Sequence, residues 1–202
     1  MIAIIDYGVG NLYSLLSSLK FIGEDAIVTG DKDEIARADK LILPGVGAFS
    51  DAMKKLTDSG ISDIIKEQAD LGKDIMGICL GMQLLFEKSY EYGEHEGLSL
   101  LKGNIVPLEG YVDKSLKIPH IGWNALKFER ESKLFKYISE GDYVYFVHSY
   151  YAADCSDSII ASAFYDKSVT AAVQKDNIYG CQFHPEKSGK VGLNILRAFC
   201  ER

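Results

Sequence analysis

Cys79 stands between two glycines in Gly77-Ile78-Cys79-Leu80-Gly81, inside the apolar run "DIMGICLGMQLLF" that extends from Asp74 to Phe86. A thiol packed in a core needs no glycines beside it. A nucleophile on a tight strand-to-helix turn does, because the glycines admit both the strained turn and the close strand–helix approach that push the thiol into the open. A helix N-terminus beneath Cys79 would favour the thiolate, and the amide of Leu80 would be placed to stabilise an oxyanion. Such a nucleophile needs a base, and the base needs an orienting group. Of the four histidines, His95 lies in the charged stretch "GEHEG" and is expected to be solvent-exposed, while His120 and His148 have no acidic residue nearby in sequence. His184 differs. In "GCQFHPEKS" it closes an apolar run, Pro185 stops the ladder, and Glu186 follows two residues on, so His184 reads as the base and Glu186 as its orienter.

A third piece is "LILPGVGAF", where Pro44-Gly45-Val46-Gly47 turns the backbone at the end of an apolar run. Such a loop can aim amide N–H groups at an anion and supply a second oxyanion donor. Glycine on both sides of Val46 would let the intervening peptide take either orientation. "DYGVGNLYS" invites a dinucleotide-binding reading, but Tyr13 stands where a third glycine belongs. Asn11 as a helix cap explains the stretch better.

The elements that must position these groups are legible as an alternation. "IAIID", "AIVT", "KLILP" and "DIMGIC" read as buried strands. Helical stretches are expected from Leu12 to Ile22 and around Lys32–Ala36, Ala52–Leu56, Ile61–Ala69 and "MQLLFEK". Apolar strands alternating with amphipathic helices predict an α/β fold with a parallel sheet covered on both faces. After about Leu98 short β-rich runs dominate ("GNIVPL", "NALKFE", "YVYFVHSYY", "SIIASAFY", "VTAAVQK", "IYGCQF"), and "VGLNILRAFC" closes the chain as a helix. No repeat or linker interrupts the 202 residues, so one domain over 1–202 with a mixed sheet is expected. A net charge of -7 argues against nucleic acid or an anionic membrane as partner. Four scattered cysteines without a C-x-x-C pair suit a reducing cytoplasm, and neither a metal site nor a cofactor is expected.

"PGVGAF", "GICLGMQLLF", "IPHIGWN", "FVHSYY" and "QFHPEKS", in this order, resemble the class I (triad) glutamine amidotransferases. Within that class they are similar to the glutaminase subunits of imidazole glycerol phosphate synthase. The resemblance runs nearly end to end and implies a flavodoxin-like three-layer α/β fold around a central, mostly parallel mixed sheet. It implies Cys79, His184 and Glu186 as the triad, with an oxyanion hole from the amide of Leu80 and one of Val46 or Gly47. Gln83, Gly47, Ser149 and Tyr150 would recognise L-glutamine. Asn11, Trp123 and Lys187 match positions at or near the interface with a (β/α)₈-barrel cyclase subunit. That heterodimer converts glutamine-derived ammonia into imidazole glycerol phosphate and AICAR for histidine biosynthesis. Two other readings share the triad: a paralogous glutaminase feeding a cyclase-like partner in surface-sugar amidation, and a stand-alone cysteine γ-glutamyl hydrolase.

Overall fold

The computed structural model describes residues 1–201. Four parallel strands open it: β1 (Ile2–Ile5), β2 (Ala26–Thr29), β3 (Lys40–Gly45) and β4 (Asp74–Cys79). Every residue of β1 and β3 is buried, as strands covered on both faces require. Between them run α1 (Leu12–Phe21), α2 (Lys32–Arg37), α3 (Phe49–Asp58) and α4 (Ile61–Asp70). Asp31 caps α2 by accepting hydrogen bonds from the amides of Asp33 and Glu34. Asn11 precedes α1 but makes no side-chain cap bond, so the expected cap is absent and its amide is left for other partners.

After β4 the chain departs from the expected pattern. The helix read from "MQLLFEK" is a single turn and a half, α5 (Leu80–Leu84), and Phe86–Ser89 is already strand β5. The two-residue β6 (His95–Glu96), which leaves His95 half-buried and not exposed, and β7 (Leu101–Pro107) follow. Then come β8 (His120–Phe128), β9 (Tyr143–His148), β10 (Tyr150–Ala153), β11 (Ile159–Tyr165), β12 (Lys167–Lys175), β13 (Ile178–Cys181) and α6 (Gly189–Cys200). The run "YVYFVHSYY" is thus two strands broken at Ser149.

That break separates two sheets. The larger has the order β2-β1-β3-β4-β13-β12-β11-β8-β9, parallel from β2 to β13 and antiparallel beyond. The smaller has the order β10-β7-β5-β6. One core packs α1 and α6 against the large sheet, and the other packs α2, α3, α4 and the small sheet against its opposite face. β9 is the outer strand of the large sheet, and the segment after β13 lies along it: His184 N donates to Tyr145 O (2.9 Å) and Tyr145 N donates to Ser188 Oγ (3.0 Å). At the far end of the parallel strands, the Lys40 ammonium is buried beneath the C-terminus of α6. It donates to Asp74 Oδ2 (3.0 Å), Phe199 O (2.7 Å) and Glu201 O (2.6 Å). Lys133 reaches the same Asp74 oxygen at 2.7 Å. Burial alone would raise the Asp74 pKa, but the hydrogen bonds and charges of Lys133 and Lys40 outweigh it and hold the carboxyl below its usual range.

Candidate active site

β3, β4 and β13 run parallel and end at one edge, where open α/β sheets place their sites. Cys79 is the last residue of β4 and adopts φ 54°, ψ -113°. A non-glycine residue in the left-handed half of the map is strained, and such strain collects at functional positions. The flanking glycines are there because backbones touch. A Cβ on Gly81 would lie 1.8 Å from Leu43 O, and one on Gly77 would lie 2.6 Å from Gly81 O and from the Met82 backbone. A side chain at Gly81 would separate the elbow from β3, and one at Gly77 would separate β4 from α5.

His184 follows β13 and is 2% exposed. Its Nδ1 is 2.8 Å from Glu186 Oε1, and both side chains are 3% exposed. Burial by itself would lower the His184 pKa, but hydrogen bonds to Cys79 and Glu186, together with their charges, raise it to about 9. The imidazole therefore keeps a proton at neutral pH and can give it to a leaving group. Glu186 sits behind His184. Its other oxygen, Oε2, is buried with no hydrogen-bond partner among the described residues, and Glu186 shares a small cavity with Asn11, Val46 and His184.

A pocket of about 480 Å³ opens over the thiol, and Val46, Gly47, Cys79, Leu80, Gln83, Ser149, Tyr150 and His184 all line it. Every residue expected to bind substrate or stabilise an oxyanion therefore faces one space, although they come from β3, β4, α5 and the β9–β10 break. In the Pro44–Gly47 turn the two glycines differ. Gly47 takes φ +98° in open space, whereas a Cβ on Gly45 would meet Gly81 N at 2.7 Å and Tyr7 Oη at 2.9 Å. Only Gly47 uses glycine's conformational freedom; Gly45 is small because the elbow presses on it. Tyr7 Oη donates to Pro44 O at 2.8 Å and anchors the turn from β1.

Gln83 is buried, and its Nε2 donates to Tyr150 O (3.1 Å) and to Gln182 Oε1 (3.0 Å). With both hydrogens used, the pocket receives its oxygen. Gln182, which sequence reading passed over, is fully buried, and its Nε2 lies 3.9 Å from Cys79 Sγ. The signal was a lone amide inside the apolar run "YGCQF". Glu91 and Glu109 were also missed; they are the carboxylates in the pocket wall. Trp123 (52% exposed) packs edge-on against Tyr145, and the Lys187 ammonium lies 6.0 Å from the centre of the same ring. Those two share a surface at Tyr145, while Asn11 lines the small cavity beside His184 and Glu186. Among the described residues no cluster of His, Cys, Asp and Glu could hold a metal ion, and no helix is long and apolar enough to cross a membrane.

The sharp turn at Cys79, the His184–Glu186 pair and the sheet order are those of the class I amidotransferase fold. The family model of glutamine amidotransferase class-I matches residues 3–202, and the chain belongs to that family. Full-length relatives narrow the comparison. The chain is 52% identical over 202 residues to imidazole glycerol phosphate synthase subunit HisH of Caldanaerobacter subterraneus subsp. tengcongensis, covering 100% of this chain and 98% of the relative. It is 48% identical over 201 residues to the subunit of the same name from Lactococcus lactis subsp. lactis, covering 99% and 98%. Two solved structures share the fold at low identity. A glutamine amidotransferase crystal structure matches with TM-score 0.77 at 18% identity, covering 98% of this chain and 97% of the other. PurLQS from Thermotoga maritima matches with TM-score 0.75 at 21% identity, covering 98% and 96%.

Proposed function

We propose that this chain is a glutaminase subunit that hydrolyses L-glutamine to glutamate and passes the ammonia to a (β/α)₈-barrel cyclase subunit, yielding imidazole glycerol phosphate and AICAR in histidine biosynthesis. The reading is supported by the full-length similarity to synthase subunits. It is carried by one geometric observation: a strained Cys79 beside a His184 that Glu186 holds at 2.8 Å, under a pocket of amino-acid size.

In this reading His184 already holds the proton given up by Cys79, and the sulfur attacks the side-chain amide carbon of glutamine. The carbonyl oxygen gathers negative charge against the amide of Leu80 and that of Val46 or Gly47. The imidazolium then protonates the departing nitrogen, and ammonia leaves a γ-glutamyl thioester on Cys79. Water, deprotonated by the same imidazole, hydrolyses the thioester to glutamate. Glu186 fixes the ring's tautomer and stabilises its charge. Glu91 and Glu109 complement the α-ammonium of glutamine, the Gln83 oxygen accepts from a substrate N–H, and Gly47, Ser149 and Tyr150 hold the substrate backbone. Trp123, Lys187 and Asn11 meet the cyclase.

The test is a Cys79→Ala chain assembled with its cyclase partner. Glutamine-dependent product should vanish while added ammonium salts still support synthesis, because the acceptor chemistry belongs to the other subunit. Glutamine-dependent synthesis at the normal rate would sink the proposal.

A further inference from the structure

Gln182 is a fully buried amide in an apolar stretch, and the steps from thiol to glutamate described above make no use of it. Parallel pairing carries it to the nucleophile. β13 runs beside β4 with Cys181 opposite Ile78, so one residue further on Gln182 comes level with Cys79. Its backbone is held there, because Gln182 N donates to Ala171 O at 2.9 Å. Its side-chain nitrogen lies 3.9 Å from Cys79 Sγ, within reach of an N–H···S hydrogen bond, and its oxygen lies 3.0 Å from Gln83 Nε2. A buried amide costs stability unless it is hydrogen-bonded, and here both ends are occupied by residues of the pocket.

The direction of these bonds is fixed from one end. Tyr150 O is a carbonyl and only accepts, so the group facing it at 3.1 Å is the Gln83 nitrogen. The same nitrogen gives its second hydrogen to Gln182, which must meet it with oxygen. Turning the Gln182 amide round would set two NH₂ groups against each other at 3.0 Å. Gln182 therefore keeps its nitrogen toward Cys79. Another neighbour of the sulfur sharpens the point. Val147 O lies 3.8 Å from Sγ. A thiol can donate to that carbonyl, whereas a thiolate is repelled by it. The side chains that suit a negative sulfur are the His184 imidazole and the Gln182 amide, each of which brings it a hydrogen. A hydrogen bond to a charged group is about twice as strong as one between neutral groups.

We propose that Gln182 is a catalytic residue that donates its side-chain N–H to the Cys79 sulfur and stabilises it as the anion, with Gln83 fixing the sense of the amide. The proposal rests on the reading that Cys79 is the glutaminase nucleophile. The anion occurs twice in that cycle. It is present before attack, and it returns when hydrolysis breaks the C–S bond of the thioester and leaves the electron pair on sulfur. Gln182 serves both moments from one fixed position. It also joins recognition to chemistry, because the amide that turns its oxygen to the substrate is the one that holds the sulfur's donor in place.

Alkylation of Cys79 in the full chain by iodoacetamide reads the anion, since the thiolate is the reactive form. Mass spectrometry of the Cys79 peptide across a pH series gives the profile. Gln182→Met keeps the length of the side chain but removes the donor. On the acid side of the profile its Cys79 should react about tenfold more slowly than in the parent, the low end of what a hydrogen bond to a charged group supplies, while the plateau at higher pH is kept. An acid limb that coincides with the parent's overturns the proposal. So does a plateau lowered as far as the acid limb, which marks a disturbed pocket and not a lost donor. The parent chain gives a second reading that needs no change at Gln182. One Gln182 Nε2 proton should move downfield in NMR spectra over the pH range in which alkylation rises, and should stay in place in Cys79→Ala. A proton that does not move in the parent overturns the proposal without the variant. A parent chain that alkylates as expected but releases no glutamate with its partner defeats the glutaminase reading and leaves the bond to sulfur standing.

Discussion

Replacing Gly81 by Ala sets a gain against a larger loss. Gly81 lies within α5, and Gly→Ala in a helix ordinarily stabilises by about 1 kcal/mol. Here the new methyl would sit 1.8 Å from Leu43 O, 2.8 Å from Leu43 C and 3.1 Å from Pro44 C, all backbone atoms that no rotamer change can move aside. An ordinary C···O contact is about 3.3 Å, so α5 and β3 must part by about 1.5 Å. Overpacking of this kind costs about 1–3 kcal/mol, and more where backbone must shift. Taking the upper part of that range because backbone must shift, about 2–3 kcal/mol, the net is a destabilisation of about 1–2 kcal/mol, or a fall in Tm of roughly 2–8 °C for a chain of this size. Activity should suffer more than stability. The displaced strands carry Cys79 on one side and the Pro44–Gly47 turn on the other, and a misplacement of about 1 Å between reacting groups costs roughly a hundredfold. Glutamate release and thermal unfolding of Gly81→Ala check both numbers. Gly72→Ala is the control: a methyl there meets nothing within 4 Å and pays only for its φ of +82°, about 1 kcal/mol with no change in turnover. Parent-like turnover in Gly81→Ala would refute the argument that the elbow is glycine because of contact with β3.

Glu186→Gln keeps the shape behind His184 but removes its charge, and turnover should drop by about 10³–10⁴ with folding preserved, as read by steady-state glutamate release and circular dichroism. The same substitution should lower the His184 midpoint from about 9, because a partner that favours the imidazolium is gone. Cys79→Ala should lower it too, and an imidazole titration followed by NMR separates the two contributions. Lys40→Met retains the aliphatic stem but leaves Phe199 O and Glu201 O without their buried donor. Unfolding in urea should show a loss of about 2–4 kcal/mol, with catalysis at the opposite sheet edge unaffected.

The parts of the site that could be read from sequence are those made by local rules. A thiol flanked by glycines at a strand end, a Pro-Gly turn after "LIL", and His-Pro-Glu after an apolar run each declare a backbone geometry within a few residues. The parallel strands were legible for the same reason, since burial on both faces leaves a run of apolar residues. What escaped depends on distant partners. "YVYFVHSYY" alternates without interruption, and only the competing pull of β7 on Tyr150–Ala153 and of β8 on Tyr143–His148 splits it at Ser149. "MQLLFEK" has helical spacing, but Phe86 and Lys88 pair with β7, and this sheet contact overrides propensity after Leu84. His120 and His148 lie 28 residues apart and come into contact only when β8 and β9 align them. Gln182 becomes a neighbour of Gln83 only through the parallel pairing of β13 with β4.

The segment His184–Ser188, laid along β9, has a consequence for solubility. An outer strand presents unpaired N–H and C=O groups that invite edge-to-edge association with another chain. Here the amide of His184 and the hydroxyl of Ser188 occupy the groups of Tyr145, and Ser188 Oγ closes back on His184 O at 2.6 Å. Pro185, which has no N–H, keeps the segment from acting as a tenth strand with a fresh edge of its own. The residues that shield the sheet from self-association are thus the residues that hold His184, the base proposed above. A substitution that loosens this strap, Ser188→Ala among them, releases His184 and bares the edge in one event, so aggregation and lost turnover should rise together across such variants.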